Sequence, residues 1–237
     1  MSNTKKILIT GASSGIGCAS TRLLINEGHT VIGLARDFTK NPIESDRFIP
    51  ISIDFSEIDN LPNQLSEINK AHPDINAVVC CAGRGQFGSL EEFSYSQIRE
   101  LMDLNFLSQA YVSRCFLPTL KKQGAGNLIF IGSEAALEGS RKGSIYCASK
   151  FALRGLAQSL REECAHSGIH VSIINPGMVK TTFFDDLDFA PGEDEQNFIE
   201  PEDVANNISM ILNSRCGTNI DELNLSPLKK VIQFKKK

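Results

Sequence analysis

Apolar residues along this chain fall into short runs that alternate between two spacings. Lys6–Thr10, His29–Ala35, Phe48–Ile53, Ile75–Cys81, Asn127–Gly132 and Ile169–Asn175 are compact, nearly unbroken apolar runs, the pattern of strands buried on both faces. Between them, Ile16–Glu27, Glu57–Ala71, Ser94–Leu120 and Tyr146–His166 carry apolar residues at helical spacing, as with Leu153, Leu156, Ala157 and Leu160. Gly28 and Gly168 stand where two of these helices should stop, and Pro118 lies near the end of a third. Pro201-Glu202-Asp203-Val204 opens a further helix to about Asn213, and Asn219–Leu225 reads as a last strand. Strands alternating with helices predict an α/β fold: a doubly wound, Rossmann-type parallel sheet in three α/β/α layers. No linker-like stretch divides residues 1–237, so a single domain is expected.

Two segments break the rhythm. Thr181–Glu200 combines Phe183, Phe184 and Phe189 with seven acids and no basic residue, and reads as a mobile lid or a solvated loop. The chain ends Lys235-Lys236-Lys237, read as a solvated basic tail.

Composition narrows the function classes. Among 237 residues, 41% are hydrophobic and 22% charged, ordinary values for a globular chain. A net charge of −4 offers no basic face for nucleic acid. No run approaches the roughly 20 apolar residues of a membrane span, and the start shows no secretory leader, so no membrane partner is expected. The seven cysteines are odd in number and include no C-x-x-C pair, which predicts reduced thiols in a cytoplasmic protein and no metal site.

The first strand runs into Thr10-Gly11-Ala12-Ser13-Ser14-Gly15-Ile16-Gly17. Glycines let a backbone turn sharply and approach a pyrophosphate, while the following helix offers free N–H groups and a positive dipole end. This is the phosphate cradle of a dinucleotide-binding fold, and Gly11, Ser13, Ser14, Gly15, Ile16 and Gly17 are its candidate residues. A tight strand-to-helix turn with no ligand is the plain alternative.

The spacing Gly-x-x-x-Gly-x-Gly resembles that of the short-chain dehydrogenase/reductase family, and the resemblance runs from Lys6 to about Pro227. Tyr146 and Lys150, four apart at the start of a helix, can face one site. A free phenol titrates near pH 10, so a shift of about three units would require about 4 kcal/mol, from a nearby ammonium and an oxidised nicotinamide. The tyrosine then serves as general acid or base. Ser133 ends the fifth strand 13 residues before Tyr146, where the resemblance implies a hydroxyl bonded to the substrate carbonyl. Asn105 matches the family asparagine that holds a proton-relaying water beside the lysine. The resemblance thus implies a catalytic tetrad of Asn105, Ser133, Tyr146 and Lys150, with Asn105, Tyr146 and Lys150 also at the cofactor. It likewise implies cofactor contacts from Asp54 and Phe55, from Cys81, Ala82 and Gly83, and from Pro176, Gly177, Val179 and Thr181. One departure stands out: Cys80-Cys81-Ala82-Gly83 replaces the usual Asn-Asn-Ala-Gly, which puts in doubt a strand-bracing contact and one on the adenosine side.

The second strand ends Leu34-Ala35-Arg36-Asp37. A guanidinium suits the 2′-phosphate of NADP, whereas an acid suits the free ribose of NAD. Arg36 comes first, so NADP is expected and NAD stays possible. The expected activity is hydride transfer between NADP(H) and a small carbonyl or alcohol. A non-catalytic NADP-binding regulator and a carrier-protein-linked 3-ketoacyl reductase are the alternatives, the latter with Arg84, Arg141, Lys142 and Arg154 as candidate docking cations. Thr218–Pro227 resembles members that oxidise small hydroxy acids. Apolar positions on two long helices, including Phe106, Tyr111, Phe116, Phe151 and Leu160, predict a homotetramer or homodimer.

Overall fold

The computed structural model describes residues 4–235. Seven strands form one parallel sheet: β1 (Lys6–Thr10), β2 (Thr30–Ala35), β3 (Phe48–Ser52), β4 (Ala77–Cys80), β5 (Gly126–Ile131), β6 (Ile169–Pro176) and β8 (Glu222–Leu225). Their order is β3-β2-β1-β4-β5-β6-β8. A separate strand β7 (Phe189–Pro191) pairs antiparallel with β9 (Ile232–Phe234).

Alternation along each strand divides the core in two. Leu8, Ile32, Val78, Leu128 and Val171 point to one face, where they meet the helices α2 (Leu61–Ala71), α4 (Ser108–Gln123) and α5 (Ser144–Cys164). Ile7, Ile9, Val79 and Ile129 point to the other, under α1 (Gly15–Asn26) and α6 (Pro201–Leu212). Both faces are covered, which is why the strands read as unbroken apolar runs. The result is the expected three-layer Rossmann-type sheet.

Chain order reverses between β1 and β4, which are hydrogen-bonded neighbours. Loops leaving the carboxyl ends of adjacent strands part on either side there, opening a crevice at the sheet edge.

Helix boundaries differ from the pattern in three informative places. The second helix begins at Leu61 rather than Glu57, because Pro62 favours the first turn and Asp54 accepts from Ser56 in a tight turn just upstream. Ser94–Leu120 is not one uniform helix: α3 (Tyr95–Met102) passes through a π turn, Asp103–Leu107, before α4. Pro118 does not end α4, which continues to Gly124 in the left-handed region at φ 69°. The buried positions of α5 include Tyr146, Lys150, Leu153, Ala157, Leu160 and Cys164, spaced alternately four and three apart. Tyr146 and Lys150 therefore ride the core-facing stripe of α5, on the turns that begin the helix.

Phe116 and Leu160, read from sequence as outward positions, are core residues at 0% and 8% exposure, whereas Phe151 stands 44% exposed. Among the described residues no helix is long and apolar enough to cross a membrane.

Candidate active site

The glycine loop leaves β1 at the crevice. Gly11 and Gly15 have φ of 69° and 48°, in the region that favours glycine. Gly17 is required by proximity: a Cβ there would lie 2.2 Å from the Gly11 carbonyl oxygen. Thr10 braces the neighbouring strand, its Oγ1 accepting from the amides of Cys81 and Ala82 at 2.9 Å each. Gln109 adds a bond from Nε2 to the Ala82 carbonyl at 2.9 Å. Two polar side chains thus hold the β1–β4 junction where Cys80 and Cys81 stand. Burial pushes the Cys80 thiol far up and the Cys81 thiol up to about 12, against the pull of Lys150 on Cys81. Both thiols are therefore protonated at neutral pH, the unreactive form of a cysteine.

A cavity of about 1020 Å³ opens at the carboxyl edge of the sheet. Of the residues singled out from sequence, Ile16, Cys81, Gly83, Ser133, Tyr146, Lys150, Pro176, Gly177, Val179 and Thr181 line it. Gly11, Ser13, Ser14 and Gly15 belong to the loop after β1, and Thr181 reaches that loop: a Cβ on Gly15 would lie 3.0 Å from the Thr181 methyl. Arg36 stands exposed after β2, and Asp54 lies beyond the end of β3. Phe55 is 4% exposed and packs in the core, leaving its side chain away from the cleft.

Tyr146 is 7% exposed. Burial pushes its phenol up to about 12, although a hydrogen bond with Ser133 favours the anion. Sequence reasoning expects the Lys150 cation to depress this phenol, but in the protein alone burial outweighs every neighbour. Lys150 donates to the Ile131 carbonyl at 3.1 Å and lies 5.9 Å from the Tyr146 ring centre. Burial pushes its ammonium down to about 8. Ser133 caps a short turn, accepting from Ala135 N at 3.1 Å.

Asn105 sits in the π turn and is fully buried. Its Oδ1 accepts from Arg84 N at 2.9 Å, and its Nδ2 donates to Arg84 O at 2.9 Å and Ser149 Oγ at 3.2 Å. It fastens the turn after β4 to α5. The same turn approaches Lys150, since a Cβ on Gly83 would lie 3.1 Å from Asn105 Oδ1 and 3.8 Å from Lys150 Nζ. A π turn at such a place is common near functional groups, because the extra residue re-aims one side chain inward.

Phe87 carried no sequence signal strong enough to be singled out. Its ring centre lies 5.1 Å from that of Tyr146, where it joins two aromatics expected in the 181–200 segment: Phe183 lies 6.0 Å from Tyr146 and Phe189 packs on Phe87 at 5.0 Å. Of the basic tail, Lys235 is exposed yet held, its amide donating to Asp188 O and its Nζ to Asp185 O; just before it, Lys230, Ile232 and Phe234, unread from sequence, line the cavity. Ile232 and Phe234 on either side of Gln233 are the only local hint of a strand there, too short to mark one alone. Lys236 and Lys237 lie outside the described residues.

Residues 5–190 match the family model for short chain dehydrogenase. The chain belongs to the short-chain dehydrogenase/reductase family. It is an NAD(P)-dependent oxidoreductase of that family. An uncharacterized oxidoreductase of Staphylococcus epidermidis is 28% identical over 228 residues, covering 94% of this chain and 97% of that protein. A short-chain dehydrogenase from Streptomyces avermitilis is 28% identical with a TM-score of 0.80, over 95% of this chain and 89% of the other. The alcohol dehydrogenase of the archaeon Thermococcus sibiricus, complexed with 5-hydroxy-NADP, shares the fold at TM-score 0.83 and 24% identity, over 97% and 99% of the two chains. The close approach at Gly17 and the left-handed Gly11 and Gly15 fit the nicotinamide nucleotide that the family implies, because only glycine lets the loop turn this tightly and leave its amides bare for a phosphate.

Proposed function

We propose that this chain reduces a small carbonyl compound with NADPH, Tyr146 donating the proton. The observation that carries this is the convergence of Tyr146, Ser133 and Lys150 on one cavity beside the glycine cradle. A bound reduced nicotinamide supplies the hydride to the carbonyl carbon. Ser133 holds the carbonyl oxygen, and Tyr146 Oη gives its proton to that oxygen as negative charge develops there. A buried phenol held neutral up to about 12 carries its proton at neutral pH, the form that donates to a carbonyl oxygen. Lys150 holds the ribose and, when protonated, stabilises the tyrosinate left behind. Asn105 anchors the turn against which that lysine is set.

The choice of NADP rests on Arg36. Asp37 is engaged in a turn, accepting from Thr39 N and Thr39 Oγ1 at 2.8 Å each. Arg36 is exposed, with no carboxylate at ion-pair distance among the described residues. Asn41 donates to Ser13 O at 2.9 Å, tying the loop after Arg36 to the cradle. The 5-hydroxy-NADP bound to the Thermococcus sibiricus enzyme is consistent with this reading.

Arg84 and Arg154 are paired with Glu100 and Glu222, which leaves a carrier-protein docking patch with only Arg141 and Lys142 of the cations considered. We further read residues 1–237 as one domain, residues 181–200 as its lid, the oligomer as a dimer or tetramer and the location as cytoplasmic.

The test is Tyr146→Phe assayed with NADPH and a panel of aldehydes and ketones. Turnover should fall more than tenfold while NADPH affinity stays within about twofold, since the phenol moves a proton and does not hold the cofactor. A variant that keeps a tenth or more of wild-type kcat removes Tyr146 from the mechanism. A wild type that binds NADPH without turning over any carbonyl favours the regulator.

A further inference from the structure

The cavity has a wall that the family-like tetrad does not explain. β9 runs antiparallel to β7 with Phe234 opposite Phe189 and Ile232 opposite Pro191. Side chains alternate across a strand, so Ile232 and Phe234 share a face and Gln233 takes the other. Ile232 and Phe234 line the cavity, whereas Gln233 does not.

The strand is anchored at both ends. Lys230 pairs with Glu134 at 2.6 Å, one residue from Ser133. Lys229 N donates to Gln196 O, Gly192 N to Val231 O and Lys235 N to Asp188 O. The segment thus bridges the serine turn and the 181–200 segment, and its position is set by backbone bonds to both.

Between Tyr146 and this strand the surface is apolar and aromatic. Phe87 and Phe183 flank Tyr146, Phe189 packs on Phe87, and Ile232 and Phe234 continue outward. Gly85 admits Phe183, since a Cβ there would lie 2.4 Å from its ring. Ile232 is 56% exposed and Phe234 76%, both bordering open cavity. Apolar surface of this kind gains free energy when another apolar group covers it. The charged groups offer little to hold a carboxylate: Lys230 is already paired with Glu134 and Arg84 with Glu100, and Arg141 and Lys142 share their rim with Glu138.

We propose that β9 is the outer wall of the substrate site, and that it selects carbonyl compounds with an extended apolar body over small hydroxy acids. The proposal rests on the reading of Tyr146 as the proton donor, which sets the inner end of the site. The carbonyl lies at Tyr146 and Ser133, and the alkyl or aryl body runs along Phe87 and Phe189 to Ile232 and Phe234.

The test uses alkyl phenyl ketones of increasing chain length, from acetophenone upward, with lactate and 3-hydroxybutyrate as small hydroxy acids. Two readouts are taken on the full chain: kcat/KM, with NADPH for the ketones and with NADP+ for the hydroxy acids, and equilibrium binding of each ketone to the NADP-loaded protein by calorimetry. Each added CH₂ that reaches the wall should strengthen binding about twofold to fourfold. Ile232→Ala/Phe234→Ala should flatten that series while leaving NADP affinity unchanged, and Gln233→Ala should keep it. Both replaced side chains are more than half exposed, so the double variant is expected to fold. A flat series in the wild type, a series unchanged in the double variant, or preferred oxidation of the hydroxy acids overturns the proposal. Turnover of acetophenone with a flat series would sink the wall and spare the carbonyl-reductase reading. A rising binding series with no turnover would do the reverse.

Discussion

Arg36, Tyr146 and Lys150 each take their chemistry from different surroundings. Arg36 is a solvated guanidinium whose neighbour Asp37 is committed to Thr39, so its charge is available to a phosphate. Arg36→Ala should raise the KM for NADPH about tenfold to a hundredfold, equivalent to about 1.5–3 kcal/mol for a charge-assisted contact, and leave that for NADH little changed. Equal use of both nucleotides by the wild type would refute it. Lys150 lies in the opposite situation, an ammonium buried beside Tyr146 with one carbonyl partner. Its titration, followed by nitrogen-detected NMR in the cofactor-free protein, should have a midpoint near 8 rather than 10.5. Between these values the unfolded chain holds a proton that the folded chain has released, so this residue makes stability rise with pH across that window. Lys150→Met should remove that rise in denaturant titrations at pH 8 and pH 10. A variant whose pH dependence matches the wild type would show that the ammonium is not desolvated.

At the scale of elements, the 181–200 segment is split between two environments. Phe183, Phe184 and Phe189 are half-buried against one another, with Phe183–Phe184 ring centres 5.1 Å apart, while Asp185, Asp186 and Asp188 stay exposed. Val179 and Ile199 form a bridge at its base, and β7 ties its middle to β9. Short pairings of this kind open easily, because three-residue strands bury little and fray from both ends. Amide exchange in residues 181–191 and 228–235 should slow together when NADP and a ketone are both bound. Protection confined to 181–191 would mean that the two strands do not move as one. Phe184→Ala should alter KM for the carbonyl more than affinity for the nucleotide, since this residue lines the cavity at its substrate end. A change limited to NADPH binding would place the segment at the wrong end of the cleft.

For the whole molecule, the sheet order puts the cradle, the tetrad and the cavity on a single edge, while the helix faces remain free for association. The oligomer proposal keeps Phe151, which is exposed on α5, and loses Phe116 and Leu160 to the core. Light scattering at micromolar concentration should give a dimer or tetramer, and Phe151→Glu should shift it toward the monomer. A monomeric wild type would discard the association. Much of this architecture is legible along the chain. Strand and helix periods are local properties, so the burial of Leu8 against Ile7 and Ile9 follows from sequence alternation alone. The glycine spacing is equally local, since a positive φ at Gly11 and Gly15 and contact at Gly17 arise within seven residues. The order of Asn105, Ser133, Tyr146 and Lys150 along alternating elements, together with a parallel sheet, already directs them to one edge. Other features come from residues far apart in sequence, and no local period encodes them. Thr10 meets the amides of Cys81 and Ala82 only because β1 and β4 are neighbours. The π turn that aims Asn105 is stabilised by contacts to Arg84 and Ser149. The Tyr146 phenol is raised by desolvation, a property of the packed interior, where sequence alone points to the nearby lysine and the opposite direction. The carboxyl-terminal strand goes unread along the chain, because a three-residue strand has too little pattern of its own and takes its structure from its partner β7.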